Sequence, residues 1–242
     1  MTKVTSHRGF SAFYPENTML SFKKALETGT DIIELDIHLT KDGELVIIHD
    51  ENLKRTCGVD KLVKDLTLAE LTATNAPGKF KEEHGHTPIP SLKEYFELIK
   101  DTDVHTNIEI KSNVFEYEGI EAKLVDLIKE YGLIGRIMVS SFNHHTLLRL
   151  KEIAPEIPIA VLTSSWMVEP GRYVKNLGGE YFNPIATYLN KDTVAELDAN
   201  GIKVNAWTVN TKEDQKKLVD LGVYSIITDR PDILNELLAE RK

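Results

Sequence analysis

Short apolar runs alternate with amphipathic stretches along almost the whole chain of 242 residues, and this alternation strongly limits the possible folds. The runs have the length of strands, and the stretches between most of them have apolar residues at helical spacing. Strands that alternate with helices predict an α/β protein with a parallel sheet. We predict nine strands, at residues 3–7, 31–39, 44–50, 106–111, 136–142, 157–163, 180–185, 203–209 and 223–229.

The second and third predicted strands are joined by a very short connection that contains Asp42 and Gly43. A parallel crossover needs a dozen or more residues, whereas Asp-Gly is a signal for a two-residue hairpin turn. We therefore expect 44–50 to return antiparallel to 31–39, with Asp36 facing His49. The other eight strands then predict a (β/α)8 TIM barrel in which this hairpin extends strand 2.

Residues 51–90 interrupt the alternation of strands and helices. They contain a short helix signal near 67–73, followed by charged residues, glycine and proline. We interpret 51–90 as an insertion between strand 2 and helix 2 of the barrel. The length of the chain suits one α/β barrel, so we expect 1–242 to form a single domain.

The composition argues against several classes of protein. A net charge of −9 argues against a nucleic-acid partner, although a local cationic pocket or a metal can still attract an anionic substrate. Cys57 is the only cysteine, so we expect no internal disulfide and no cysteine-rich zinc site, and we interpret Cys57 as a loop thiol rather than a nucleophile. No apolar run approaches the ~18 residues of a membrane span, and the first ten residues lack the apolar stretch of a signal peptide. We expect a cytoplasmic protein without stable membrane association, and the sequence makes no prediction of oligomeric state.

Polar side chains occupy alternate positions of two predicted strands. They are Glu34, Asp36 and His38 in the first of these strands and Asn107, Glu109 and Lys111 in the other. The apolar positions between them should pack against the helices, so the polar set should point into the barrel or towards its mouth. Buried carboxylates need a cationic partner, barrel enzymes place their active sites at the carboxyl ends of the strands, and oxygen ligands suit Mg²⁺ or Ca²⁺.

We therefore predict that Glu34, Asp36 and Glu109 bind one divalent cation, Mg²⁺ or Ca²⁺. The alternative is a set of carboxylates at the barrel rim that are solvated or paired with Arg8 and Lys111. We expect His38 to support the site rather than act in it.

Two imidazoles and two cations are expected around the predicted metal. His7 and Arg8 end the first strand, beside strand 2, and the hairpin brings His49 towards Asp36. Such a set suits phosphodiester cleavage, because the metal and the cations can neutralise the phosphoryl oxygens. One histidine would take a proton from the attacking oxygen and the other would protonate the leaving alkoxide.

Several motifs, in order over about residues 4–232, resemble the glycerophosphodiester phosphodiesterase family. They are HRG at 7–9, PENT at 15–18, ELDIHLTKDGELVIIHD at 34–50, IPSLKEYFE at 89–97, NIEIK at 107–111, SSF at 140–142, NAWTVN at 205–210 and GVYSIITDRPD at 222–232. The resemblance implies a TIM barrel and a metal-dependent hydrolase. Its expected substrates are glycerophosphodiesters such as glycerophosphocholine or glycerophosphoethanolamine, which are cleaved to glycerol 3-phosphate and an alcohol.

The resemblance also implies roles for individual residues. It implies His7 and His49 as the acid–base pair, Glu34, Asp36 and Glu109 as metal ligands, Arg8 and Lys111 as phosphate-binding cations, and Trp207 as a pocket aromatic. From the residues alone, Trp207 is expected in the core or at the rim. Glu16 belongs to the motif PENT and could brace Arg8 or its loop, and Asn17 fits a helix N-cap.

Three questions stay open at the level of sequence. The attacking oxygen could belong to water or to the neighbouring glycerol hydroxyl, and either histidine could be the base. A lysophospholipid or a phosphoinositide is an alternative substrate on the same scaffold, although the mixed charge of the insertion favours a water-soluble one. A barrel that binds a phosphate ligand without catalysis is the remaining alternative, and it would require the loss of a site residue.

Overall fold

The computed structural model describes residues 1–81 and 83–241. Its strands, in chain order, are β1 (Lys3–His7), β2 (Ile32–Leu39), β3 (Leu45–Ile47), β4 (His105–Ile110), β5 (Ile137–Ser141), β6 (Ile159–Thr163), β7 (Tyr181–Pro184), β8 (Lys203–Ala206) and β9 (Ser225–Thr228). Eight of them form a parallel sheet that closes through the pairing of β1 with β2, and β3 adds antiparallel to β2. This closed barrel confirms the predicted (β/α)8 TIM barrel with a hairpin that extends its second strand.

Helices connect the strands of the barrel. Within the described residues they are α1 (Met19–Glu27), α2 (Lys54–Cys57), α3 (Leu68–Thr72), α4 (Leu92–Ile99), α5 (Ile120–Glu130), α6 (His144–Ile153), α7 (Pro170–Asn176), α8 (Lys191–Ala199), α9 (Lys212–Leu221) and α10 (Pro231–Ala239). Local sequence explains where several of them begin: Ser91 and Glu94 form a capping box at α4, Thr211 caps α9, and a proline starts α10. None of the helices in the described part of the chain is long and apolar enough to cross a membrane.

The main hydrophobic core lies between the barrel and its surrounding helices. The apolar residues of β2, Ile33, Leu35 and Ile37, are fully buried in this core. Each such side chain contributes about 1.5–3 kcal/mol when it leaves water. Phe22 of α1 packs edge-on against Tyr95 of α4, with ring centroids 4.8 Å apart. The alternate residues of β2 point the other way, as the period of a strand requires.

The hairpin of β2 and β3 differs from its predicted register by one residue. Thr40 pairs with Glu44 across a loop of three residues, and Gly43 takes a left-handed conformation with φ of 77° at the end of that loop. Asp-Gly also suits this three-residue loop, in which glycine takes the left-handed position. The predicted two-residue turn and the pairing of Asp36 with His49 are therefore wrong. The carbonyl of Asp36 instead accepts a hydrogen bond of 3.1 Å from the residue before His49.

The described residues of 51–90 form a segment of short helices and loops between β3 and α4. It contains α2, α3 and short 3-10 turns. It also builds a second apolar cluster, which joins Val46 and Ile48 of the hairpin arm to Leu53, Val63 and Leu71 of the segment. The segment therefore packs against the chain that leads directly into His49.

Candidate active site

The ends of three neighbouring strands bring the predicted residues together. His7 is the last residue of β1 and lies opposite Glu34 of β2 in the parallel register. Asp36 of β2 lies opposite Glu109 of β4. Side chains at paired positions of neighbouring strands share a face, so these four residues meet at the carboxyl end of the barrel.

Three carboxylates form a tight buried cluster at this end. One oxygen each of Glu34, Asp36 and Glu109 lies within 4.8 Å of the others. Oδ1 of Asp36 is buried and makes no hydrogen bond within the described part of the chain. Burial and the charge of Asp36 raise the pKa of Glu109 to about 7 and that of Glu34 well above its usual range. Three hard oxygen donors under this mutual repulsion fit a divalent cation such as Mg²⁺ or Ca²⁺.

Two cationic side chains border the carboxylate cluster. Lys111 donates to Glu109 at 2.8 Å and lies 3.7 Å from Asp36. Arg8 has its Nε 3.3 Å from Asp36, and its backbone N–H donates to Glu34 at 3.0 Å. Although burial opposes ionisation, these cations lower the pKa of Asp36. Asp36 therefore keeps its charge, and both cations lie within 4 Å of it.

Each predicted histidine is held by a carboxylate on its Nδ1. His7 donates to Asp229 at 2.7 Å, and His49 donates to Asp50 at 2.6 Å. The Nε2 atoms point towards the cluster: that of His7 is 3.9 Å from Glu34, and that of His49 is 3.2 Å from Nζ of Lys111. The carboxylates fix the orientation of both rings and direct each Nε2, the atom left for proton exchange, towards the cluster, where that of His49 is within hydrogen-bond distance of Lys111.

The two aspartates that hold the histidines were not predicted. Asp50 directly follows His49 in the motif that ends in HD, and this adjacency is the sequence signal that could have predicted its contact with His49. Asp229 follows β9, which pairs with β1, so only the closure of the barrel brings it to His7. Burial lowers the pKa of His7, and Asp229 opposes that shift.

A cavity of about 70 Å³ opens beside the cluster. Its lining includes His7, Arg8, Glu34, His49, Glu109 and Trp207. Trp207 is half-buried, donates its indole N–H to the carbonyl of Asn183 at 2.7 Å, and meets Phe142 edge-on at 5.6 Å. Asp36 and Lys111 contact the same group through the ion pairs above. The structure thus gathers all eight predicted site residues around one opening.

His38 lies beneath this opening and is fully buried. Its Nε2 donates to the carbonyl of His49 at 3.1 Å, and its Nδ1 is 2.9 Å from the hydroxyl of Tyr117. Burial lowers the pKa of His38 to about 4, so the ring is neutral near pH 7. His38 therefore holds the backbone of His49 in place, in keeping with the expected supporting role.

The motif PENT braces the site from the side of β1. Glu16 accepts a hydrogen bond of 2.8 Å from Arg8, as one of its expected roles requires. The prediction of Asn17 as a helix N-cap is wrong, because Thr18 caps α1. Asn17 has a left-handed backbone with φ of 55°, and this turns its amide towards Asp36, to which it donates at 2.8 Å.

Gly9 is expected to be intolerant of a side chain. A Cβ there would lie 2.7 Å from the backbone carbon of Ser21, and the φ of 83° also disfavours other residues. We expect Gly9→Ala to lower the free energy of unfolding by about 2–4 kcal/mol, since the clash adds to the backbone strain. Gly29→Ala is the matched control, because Gly29 has φ of 75° and open space around its Cβ position; its cost should be about 1 kcal/mol. Equal losses of unfolding free energy in the two variants, measured by urea denaturation, would contradict the close contact at Gly9.

Comparison with known proteins identifies relatives across the whole chain. Residues 7–233 match the model of the "Glycerophosphoryl diester phosphodiesterase family". A "Glycerophosphodiester phosphodiesterase" of Caldanaerobacter subterraneus subsp. tengcongensis is 44% identical over 237 residues, which cover 98% of each protein. A "Lysophospholipase D" of Homo sapiens is 28% identical, over 98% of this chain and 86% of the human protein.

A solved structure has the same fold. It is a phosphodiesterase of Oleispira antarctica "in complex with the product sn-glycerol-3-phosphate", with a TM-score of 0.90 and 29% identity. The match covers 99% of this chain and 97% of that one.

Proposed function

The chain belongs to the glycerophosphoryl diester phosphodiesterase family and is an enzyme of that class, and from this premise we propose that it hydrolyses glycerophosphodiesters to glycerol 3-phosphate and an alcohol, with Mg²⁺ or Ca²⁺ as cofactor. The observation that carries the proposal is the meeting of three buried carboxylates with two aspartate-held imidazoles at one opening. The product complex of the Oleispira antarctica relative supports glycerol 3-phosphate as a product.

Glu34, Asp36 and Glu109 would hold the divalent cation. Once bound, the cation supplies Lewis-acid stabilisation of the charge on the phosphoryl oxygens. Arg8 and Lys111 border the same cluster and would orient the phosphate and share its charge. These cations also explain how a protein with a net charge of −9 binds an anionic substrate, because the field of the pocket is set locally.

His7 and His49 would move the protons. Because each Nδ1 is engaged by a carboxylate, proton transfer takes place at Nε2. One Nε2 accepts the proton of the attacking oxygen, and the other donates a proton to the alkoxide of the departing alcohol. Trp207 closes one side of the cavity and would pack against the substrate.

A lysophospholipid is a second candidate substrate, and one surface feature favours it. Trp166 and Val168 lie in the loop after β6, at the same end of the barrel as the site, and are 66% and 93% exposed. The ring of Trp166 packs on that of Tyr188, in the segment after β7, at 4.9 Å. Such an apolar edge near the opening could contact an acyl chain.

We expect a clear preference for the water-soluble substrate. The value of kcat/KM should be at least ~10-fold higher for glycerophosphocholine than for monomeric lysophosphatidylcholine, because the insertion beside His49 has mixed charge and the α-helices in its described part have only four and five residues. Release of glycerol 3-phosphate from glycerophosphocholine, and of choline from both substrates, measures this. Trp166→Ala is the companion variant, and it should leave turnover of glycerophosphocholine unchanged. If the wild type instead prefers lysophosphatidylcholine and Trp166→Ala abolishes that preference, the proposed substrate is wrong.

A further inference from the structure

Arg55 of the insertion reaches two carboxylates beside the active site. Its guanidinium donates to both oxygens of Glu16, each at 2.8 Å. It also donates to both oxygens of Asp50, at 2.6 and 3.1 Å. Arg55 comes from α2, Glu16 from the loop before α1, and Asp50 from the chain after β3. One side chain therefore joins the chain around His49 to the loop before α1, which lies 39 positions from Arg55 in the sequence.

Each of these carboxylates holds a proposed catalytic or phosphate-binding side chain. Oδ1 of Asp50 accepts the Nδ1 proton of His49 at 2.6 Å, and Oε1 of Glu16 accepts from Arg8 at 2.8 Å. Arg55 shares both acceptor atoms with these residues. Its guanidinium is thus hydrogen-bonded to the two carboxylates that orient His49 and Arg8 towards the opening. It has no direct contact with the carboxylate cluster itself.

The geometry is unlike that of an ordinary exposed ion pair. Exposed pairs are weak because two flexible side chains must be ordered in high dielectric. Here a planar guanidinium makes paired hydrogen bonds to two carboxylates that are themselves fixed by other partners, which is the arrangement in which arginine is strongest. A lysine ammonium at this position could not match both carboxylates in this geometry.

We propose that Arg55 is a positioning residue for the reaction, which fixes His49 through Asp50 and Arg8 through Glu16 and so makes the insertion part of the active site. This inference rests on the proposed function for its kinetic consequence. Loss of the guanidinium would free both carboxylates to rotate, and their partners with them. Small misplacements of acid–base and phosphate-binding groups cost rate rather than substrate binding alone.

Arg55→Ala should lower kcat by about 10- to 100-fold, the usual cost of removing a group that orients a site residue. KM should change less than kcat. Arg55→Lys should recover little of the loss. Arg149→Ala is the matched control: Arg149 pairs with Glu116 and Glu121 and its side chain is 39% exposed, against 47% for Arg55, but it joins α6 to the start of α5 away from the opening. It should keep wild-type kcat.

Two further measurements separate positioning from a loss of stability. Millimolar guanidinium should restore several-fold activity to Arg55→Ala, because the vacated space between Glu16 and Asp50 is solvent-accessible. In the cation-loaded protein, the NMR chemical shifts of the histidine ring nitrogens can be measured through the carbon-bound ring protons. In Arg55→Ala these shifts should show that His49 no longer keeps its proton on Nδ1. His7, held by Asp229, should keep it.

The outcomes distinguish this inference from the proposed function. Failure of the wild type to cleave any glycerophosphodiester would reject the proposed function, and the ring shifts would still test the role of Arg55 towards His49. A kcat within about threefold of wild type in Arg55→Ala, well below the 10- to 100-fold cost expected for such a group, would overturn the inference. Unchanged nitrogen shifts of His49 would also overturn it. So would a loss of kcat in both Arg55 variants that parallels a fall in melting temperature and is not restored by guanidinium.

Discussion

Asp36→Asn is expected to lower phosphodiester turnover by at least ~10³-fold, since a catalytic cation supplies several kcal/mol and each 1.36 kcal/mol is a factor of ten. Asp36 is fully buried and lies between Glu34 and Glu109, with Arg8 and Lys111 on either side. The amide keeps the shape of the side chain and removes its negative charge. It thereby weakens the cation site and also leaves two buried cations without their common partner.

Binding of the cation to the folded protein provides a readout that does not depend on activity. At about one hundred times its Kd, a divalent cation should stabilise the wild type by about 2.7 kcal/mol, or roughly 5–10 °C in Tm for a chain of this size. Asp36→Asn should lose this shift. Thorough chelation should abolish wild-type turnover, and the added cation should restore it.

Asp31→Asn is the matched control for this variant. Asp31 precedes the same strand at the opposite end of the barrel, where it pairs with Lys3. Its replacement should leave the cation-dependent shift in Tm intact. Full activity of the chelated wild type, or an Asp36→Asn protein with a normal shift, would remove the cation from the proposed chemistry.

The sequence predicted the fold because the barrel repeats simple local rules. Strand and helix periods differ, and the connection of three residues after strand 2 ruled out a parallel crossover. The hairpin register was wrong because Asp-Gly suits both a two-residue turn and a three-residue loop with glycine left-handed. His49 reaches the carboxylate cluster despite this error. Because β3 ends at Ile47, the alternation of side chains along a strand does not set the direction of the His49 side chain.

The carboxylate cluster was predictable for a related reason. Glu34 and Asp36 are two apart on one strand, so both point the same way, and Glu109 lies opposite Asp36 in the register of the next strand. Alternation within strands and adjacency between them were enough to bring these residues together.

The residues that orient the site were harder to foresee. Asp229 reaches His7 only because β9 closes the barrel against β1, a contact across 222 positions of sequence. Arg55 lies in α2, a helix of only four residues inside the insertion, and its partner Glu16 comes from the loop before α1, 39 positions away in the sequence. Asn17 was misassigned because its side chain suits a helix cap in isolation, whereas the fold places a charged acceptor, Asp36, within its reach. Local sequence pattern therefore predicted the side chains of the proposed chemistry but not the long-range hydrogen bonds that orient them.

His7→Ala and His49→Ala are each expected to lower kcat for glycerophosphocholine by at least ~10²-fold, because each removes a proton-transfer group. The double variant should lose less than the product of the two single losses, since groups that act as a unit are not additive. His105→Ala is the control, because His105 is exposed at the opposite end of β4. It should keep wild-type turnover. Near-normal kcat in either site variant would demote that histidine to a structural role.

A substrate with a better leaving group assigns the two roles. The departing group of a glycerol p-nitrophenyl phosphodiester leaves as a stable phenolate and does not need a proton, whereas the attacking oxygen still needs a base. One of the two variants should therefore recover most of its activity with this substrate, and that histidine is the general acid. The other variant should stay at least ~10²-fold slow, as expected for loss of the base. Equal recovery, or recovery in neither, would contradict a division of acid and base between His7 and His49, even though both rings are held in the same way by Asp229 and Asp50.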